Sequence, residues 1–177
     1  MSDTHRSEYE KQLAGEEFWN SDPEISAKKS YARDLCDQYN LTRESEPERR
    51  LELLQTLFGN CDDKIFIKPP FHCDFGYNIH VGKNFFANFD VVFLDTGKIT
   101  IGDNCLIGMG ATLLDNARIP SGCIIAANAL VLSNAQLEPN SVYAGVPAKK
   151  VKEVTEEQRE EIIRRTARDY MLYASWY

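Results

Sequence analysis

A period of six constrains this chain more than any other feature. From Ile101, apolar residues recur at Ile107, Leu113, Ile119, Ile125, Val131 and Leu137 without a gap. Four places after each stands a small residue: Cys105, Ala111, Ala117, Cys123, Ala129, Ala135 and Ser141. A helix repeats its buried face every 3.6 residues and a half-buried strand every 2, so neither produces this pattern. A hexapeptide repeat does. Each hexad supplies a short strand and a tight corner, three hexads close a triangular coil of about 18 residues, and coils stack about 4.8 Å apart. The large aliphatic points inward onto its counterparts in neighbouring coils, each contributing about 1.5–3 kcal/mol. The small residue fills the narrow space near a corner.

The same spacing appears earlier, at Phe75, Val81, Ala87 and Phe93, with Ile79, Phe85 and Val91 four places on. The step from Phe93 to Ile101 is eight residues, so Asp95 to Lys98 must hold a bulge or a longer corner. The chain is therefore expected to be mainly β, a parallel β-helix of about four coils, with N-terminal helices and a C-terminal helix. The first helix starts near Asp22 and places Ile25, Tyr31, Ala32, Leu35 and Tyr39 on one face. A second is signalled by Ser45-Glu-Pro-Glu48 as a capping box, carries Leu51, Leu54, Leu57 and Phe58 inward, and stops at Gly59. Gly145 and Pro147 end the repeat, and Thr155 to Gln158 form another capping box. The final helix is expected over 155–175, with Ile162, Ile163, Thr166, Tyr170, Tyr173 and Ala174 inward, and the aromatic tail Tyr170 to Tyr177 needs a docking surface. The expected organisation is a helical cap over 1–60, the prism over 61–150 and the last helix over 151–177.

Twenty Lys and Arg against 27 Asp and Glu give a net charge of −7, which argues against nucleic acid or an anionic membrane as a main partner. No run approaches 18 apolar residues and the start Met1-Ser-Asp-Thr-His5 has no signal-peptide core, so a cytoplasmic location is expected. The five cysteines form no CxxC pair, and Cys105 and Cys123 occupy inward slots that suit a compact apolar residue.

Two sets of motifs carry a family resemblance. EYEKQLAGEEFW, YARDLCDQYN, LFGN, PPFHCDFGYNIHVGKNFFANFDVVFLD and ITIGDNCLIG, within about residues 8–108, resemble the maltose and galactoside O-acetyltransferases. CLIGMGATLLDNARI, CIIAANALVLSNAQLEPNSVYAGVPAKKVKEVTEEQ and YASWY, from about 105 to 177, resemble γ-class carbonic-anhydrase-like proteins. Both are branches of the hexapeptide-repeat superfamily, and a recombinant of the two is physically tolerable because hexads stack in phase. The superfamily resemblance implies a left-handed β-helix.

The acetyltransferase resemblance implies a homotrimer that moves acetyl from acetyl-CoA to a sugar hydroxyl at sites between prisms, with a loop histidine as general base. Asp22, Asp74, Asn88 and Asp95 fall at or near its acceptor-side positions, and Ala127, Gly145, Lys149 and Lys150 on its coenzyme A side. Turn geometry is the competing explanation for Asp74, Asn88 and Asp95, and a solvated exit for the two lysines. The base-carrying loop, with its TxTHP-like motif, has no counterpart here: hexads run unbroken from Ile101 to Leu137 and no histidine follows His80. His80 is accordingly the candidate substitute base, and a non-catalytic trimeric scaffold is the alternative. The carbonic-anhydrase resemblance implies a metal held by three histidines, but the matching stretch begins after those positions. His5, His72 and His80 are the chain's only histidines, so no metal is expected.

Overall fold

The structure is a computed structural model that describes residues 6–162 and 164 of the 177. Three helices come first: α1 (Glu8–Ala14), α2 (Pro23–Asn40) and α3 (Pro47–Leu57). The prism follows coil by coil. Its first coil is β1 (Ile65–Ile67), β2 (Phe71–Cys73) and β3 (Ile79–Val81); its second is β4 (Phe85–Ala87), β5 (Val91–Phe93) and β6 (Ile99–Ile101). The third is β7 (Leu106–Ile107), β8 (Thr112–Leu113) and β9 (Arg118–Ile119). The fourth is β10 (Ile124–Ile125), β11 (Leu130–Val131) and an isolated bridge from Gln136 to Arg118. Strand β12 (Ser141–Ala144) opens the next coil, and β13 (Lys149–Glu153) turns back antiparallel to it. This is a left-handed parallel β-helix of about four turns.

Its three faces stack β1-β4-β7-β10-β12 (face 1), β2-β5-β8-β11 (face 2) and β3-β6-β9 (face 3). The period-six residues fill the interior: Ile101, Ile107, Leu113, Ile119, Ile125 and Val131 are buried, as are Cys105, Ala111, Ala117, Cys123 and Ala129. Leu137 and Ala135, at the last coil, are partly buried against the same core. Corners demand a left-handed residue. Asn84, Asn104, Asn116, Asn128, Asn134, Asn140 and Asp90 supply it, with φ between 52° and 62°, because a short polar side chain tolerates that conformation. The eight-residue step is the long corner between β5 and β6, and it carries Asp95.

The helices close the first coil, whose strand edges would otherwise be open. Tyr39 donates to the Ile67 carbonyl (2.5 Å), and the Asn40 amide pairs with both Phe71 N–H (2.8 Å) and Phe71 C=O (2.9 Å). Beyond α3, Gly59 and Asn60 run along β3. Gly76 faces α3 at φ +73°, and a Cβ there would lie 2.3 Å from Leu57 Cδ1, so only glycine lets the cap seat.

Several local expectations need correction. Tyr31 is 58% exposed, and Cys36 takes its place beside Ile25, Ala32, Leu35 and Tyr39. A residue one before Ala32 lies about 100° round the helix, away from the buried stripe. The cap of α3 is Glu46, one residue after Ser45; its side chain does not cap the helix, and its carboxylate accepts from Arg43 N–H. The stop at Gly59 is as expected: the helix runs to Leu57 with Phe58 as its C-cap, and Gly59 N–H bonds the Ile79 carbonyl. The β12–β13 hairpin replaces a simple exit from the repeat. The Thr155–Gln158 box is formed in both directions, and residues 156–162 are helical with Ile162 buried. Ile163, Thr166, Tyr170, Tyr173, Ala174 and the tail to Tyr177 lie outside the described residues, as does His5. Among the described residues no helix is long and apolar enough to cross a membrane.

Candidate functional site

The richest polar network lies where α1 meets the long corner. Asp95 is fully buried, and its Oδ1 accepts from Asp74 N–H (3.0 Å) and Phe75 N–H (2.9 Å) in the coil before. Its Oδ2 has no hydrogen-bond partner among the described residues. Burial is the main reason its carboxyl is pushed up to about 6, against the opposing pull of the two amides. Asn78 Nδ2 holds the corner by donating to the Asp95 carbonyl (2.8 Å) and the Thr96 carbonyl (3.2 Å). From α1, buried Gln12 donates to the Thr96 carbonyl (3.1 Å) and accepts from Tyr77 O–H (2.6 Å).

These contacts wall a cleft of about 660 Å³ between α1 and the prism, lined among others by Tyr9, Phe18, Tyr77, His80, Thr96 and Lys98. Its size suits a small polar ligand. His80 projects outward from β3 because its neighbours Ile79 and Val81 point in. It packs over Gly59, where a Cβ would meet its Nε2 at 2.9 Å. Burial and then the Lys98 charge lower its pKa below the ordinary histidine value. The imidazole is therefore neutral near pH 7 and able to accept a proton, which is what a general base must do. His80 also heads a column on face 3, in register with Thr100, Arg118 and Gln136, that lines a shallow groove of about 600 Å³.

The other acceptor-side residues are dispersed within one chain. Asp74 sits at the corner after β2, ion-paired to Lys29 of α2 (3.3 Å), in a smaller cleft of about 320 Å³ with His72 and Leu94. Asn88 lies at the opposite end of β5, where its Oδ1 accepts from Phe89 N–H (2.9 Å). Asp22 caps α2, accepting from Glu24 N–H (2.9 Å) and Ile25 N–H (3.4 Å). Only Asp74 and Asp95 are brought into direct contact.

On the coenzyme A side, the coil that holds Ala127 bonds to the exit segment that holds Gly145. The exit segment stacks on the last coil through Ala126 N–H to the Tyr143 carbonyl, Leu130 N–H to the Gly145 carbonyl and Ala148 N–H to the Leu130 carbonyl. Gly145 takes φ +96°, ahead of a cis Val146–Pro147 bond. Lys149 and Lys150 lie further on, in β13. Lys150 is ion-paired to Glu138 (2.7 Å) and Glu153 (2.5 Å), whose hydrogen bonds raise its pKa; Lys149 is exposed. Among the described residues, no group of three or more His, Cys, Asp or Glu is placed to hold a metal. Sequence reasoning missed Gln12, Tyr77 and Lys29, because no spacing signals a contact between residues 65 apart in the chain, as Gln12 and Tyr77 are.

Comparison with known proteins agrees with this architecture. Residues 11–62 match the maltose acetyltransferase hexapeptide capping motif, and residues 98–133 match the bacterial transferase hexapeptide of six repeats. A maltose O-acetyltransferase from Clostridium difficile 630 superposes with a TM-score of 0.71 at 30% identity, over 85% of this chain and 99% of that one. The chain belongs to the hexapeptide-repeat transferase family. Within that family it resembles the maltose and galactoside O-acetyltransferases. The galactoside O-acetyltransferase of Escherichia coli is 34% identical over 100 residues, which is 56% of this chain and 49% of the relative. A hexapeptide-repeat acetyltransferase from Vibrio cholerae, solved with acetyl coenzyme A, has a TM-score of 0.63 at 29% identity, over 85% of this chain and all of that one. The match spans about half the length of most of these curated relatives, and 87% of a putative acetyltransferase from Saccharomyces cerevisiae at 28% identity. The expected carbonic-anhydrase-like half finds no counterpart among these matches, and the hexapeptide match runs straight across the expected junction near residues 101–108.

Proposed function

We propose that this protein is a trimeric acetyltransferase that takes acetyl from acetyl-CoA to a sugar hydroxyl, with His80 as the residual base. The observation that carries the reading is the likeness to a maltose O-acetyltransferase along 99% of that structure's length. Support for the chemistry comes from the cleft under α1, where a neutral imidazole stands beside Tyr77, Thr96 and Lys98. Asp95 fixes the backbone of that corner and, through its two amide bonds, the Asp74 corner beside it. Ala127 and Gly145 would line the pantetheine arm, Lys149 would meet its phosphates, and Lys150 would have to leave two carboxylates to join it. Asn88, Asp74 and Asp22 would reach an acceptor only across a boundary between subunits, which is why the reading requires an oligomer. Face 2 offers the surface for one, since Val92, Thr112 and Leu130 point outward from it in register.

The test is coenzyme A release from acetyl-CoA with maltose, glucose and a thiogalactoside as acceptors. Transfer above the blank is expected, and His80→Ala should lower it by about 10²–10⁴. Absence of transfer with every acceptor would favour a second reading, a non-catalytic hexapeptide scaffold. That reading draws on one specific observation: the coils from β6 to β11 are closed by short corners, with no loop to carry a further histidine.

A further inference from the structure

Cys36 and Cys73 meet where the helical cap sits on the first coil. Cys36 lies on the buried stripe of α2 and Cys73 ends β2, and their Sγ atoms are 3.5 Å apart. Both are free thiols. A disulfide needs an S–S distance near 2.0 Å, so a closure of about 1.5 Å shared by two side chains would make the bond. The contact is buried, at 3% and 8% exposure. The 320 Å³ cleft nevertheless reaches it from the α2 side, past Arg33, Asp37 and Asp74, with Val92 and Leu94 of the proposed subunit contact forming its far wall, and a peroxide molecule is little larger than water. The Cys73 thiol hydrogen-bonds Cys36 and holds its pKa below the ordinary thiol value, against burial and the Asp95 and Asp37 charges. Cys73 shifts the opposite way for the same reason. A hydrogen bond between the two sulfurs favours a thiolate on one while the other keeps its proton, the arrangement a nucleophile and a resolving thiol require.

The remaining cysteines have no such partner. Cys105 and Cys123 donate to the Pro120 and Glu138 carbonyls, and burial raises both pKa values, that of Cys105 to about 12. Burial raises Cys61 to about 11.

We propose that Cys36 and Cys73 form a peroxide-reactive dithiol site whose oxidation staples α2 to β2. The Cys36 thiolate attacks one oxygen of hydrogen peroxide, the O–O bond breaks, and hydroxide leaves to take up a proton, giving a sulfenic acid at Cys36. Cys73 then loses its proton and attacks the Cys36 sulfur, and the S–O bond breaks with water as leaving group. Two thiols and one peroxide give one disulfide and two waters; the sulfurs are oxidised and the peroxide oxygens reduced. The bond closes a loop from the cap to the strand next to Asp74, so oxidation locks the cap while leaving the prism unchanged.

The experiment is peroxide treatment of the full-length protein, followed by denaturing alkylation and peptide mapping. The expected product is one intramolecular cross-link between Cys36 and Cys73, a mass lower by two hydrogen atoms, and Cys61, Cys105 and Cys123 still alkylated. A melting temperature higher by about 5 °C or more should accompany it and vanish with dithiothreitol. In Cys73→Ser, whose hydroxyl keeps a hydrogen-bond donor beside Cys36, the same treatment should add oxygen at Cys36 in place of the cross-link. Both thiols remaining alkylatable, or a cross-link from either one to another cysteine or another molecule, would overturn the proposal.

Discussion

Asp95 shows how one residue can be fixed by structure and still carry a functional signature. Two backbone amides hold one oxygen while the other has no partner among the described residues, so the charged form is poorly served. Its pKa therefore rises from 3.8 to about 6 on folding. Between those values the folded state holds a proton that the unfolded chain has released. The associated stability is fully present below about pH 4 and is lost as pH rises through about 6. The cost of ionised Asp95 at neutral pH is on the order of 3 kcal/mol. Asp95→Asn keeps an acceptor for the two amides and removes the charge. Urea unfolding across pH 4–7 should lose stability with rising pH more steeply in the wild type than in this variant. Equal slopes would mean that Asp95 ionises freely in the fold.

The helical cap and the coils contribute different physics at the level of elements. Each coil is held by its neighbours above and below, whereas the first coil relies on α2 and α3 for its edge. Asn40 alone replaces a strand there, satisfying both polar groups of Phe71. Asn40→Ala should therefore cost about 2 kcal/mol or more in urea unfolding and raise hydrogen exchange at the Phe71 amide ahead of global unfolding; an unchanged exchange rate would place the cap's hold elsewhere. This division also explains what the sequence made legible. Ile107, Ala111 and Leu113 could be placed inward by counting, because in a prism a residue's environment is set by its phase. His80 could be placed outward by its alternation with Ile79 and Val81. Tyr31 and Cys36 could not be sorted that way: helix phase favours Cys36, residue size favours Tyr31, and the docking angle decides. Gln12 with Tyr77, and Cys36 with Cys73, meet only because the cap sits at one particular angle on the first coil. The acceptor-side motifs were legible as motifs, but their separation around the prism was not, since sequence spacing does not show which corner a residue turns.

At the scale of the whole molecule, the three sides of the prism are unlike. Face 3 presents the polar column His80, Thr100, Arg118 and Gln136. Face 1 is flanked by the last helical segment, where Leu106, Ile124 and Ile162 line one cleft. Face 2 carries its outward stripe between two ridges, Phe89 (42% exposed) with Met109 (50%) at one corner and Leu94 (37%) with Leu132 (47%) at the other. Contiguous apolar surface of this kind marks an interaction site. The ridges differ, so in the proposed trimer the contact would pair one corner with the other, a head-to-tail arrangement that forms a ring where the rotation closes. A ring of three would place the dispersed Asn88 and Asp74 of adjacent chains at shared boundaries, as the proposed activity requires. Sedimentation equilibrium should then give three times the 20.2 kDa chain mass. The double variant Met109→Glu, Leu132→Glu should sediment as a monomer with an unchanged far-ultraviolet circular dichroism spectrum, because both side chains lie outside the coil interior. It should also lose acetyl transfer together with the oligomer. A wild-type monomer that still transfers acetyl would separate the chemistry from assembly and confine the active site to the cleft beneath α1.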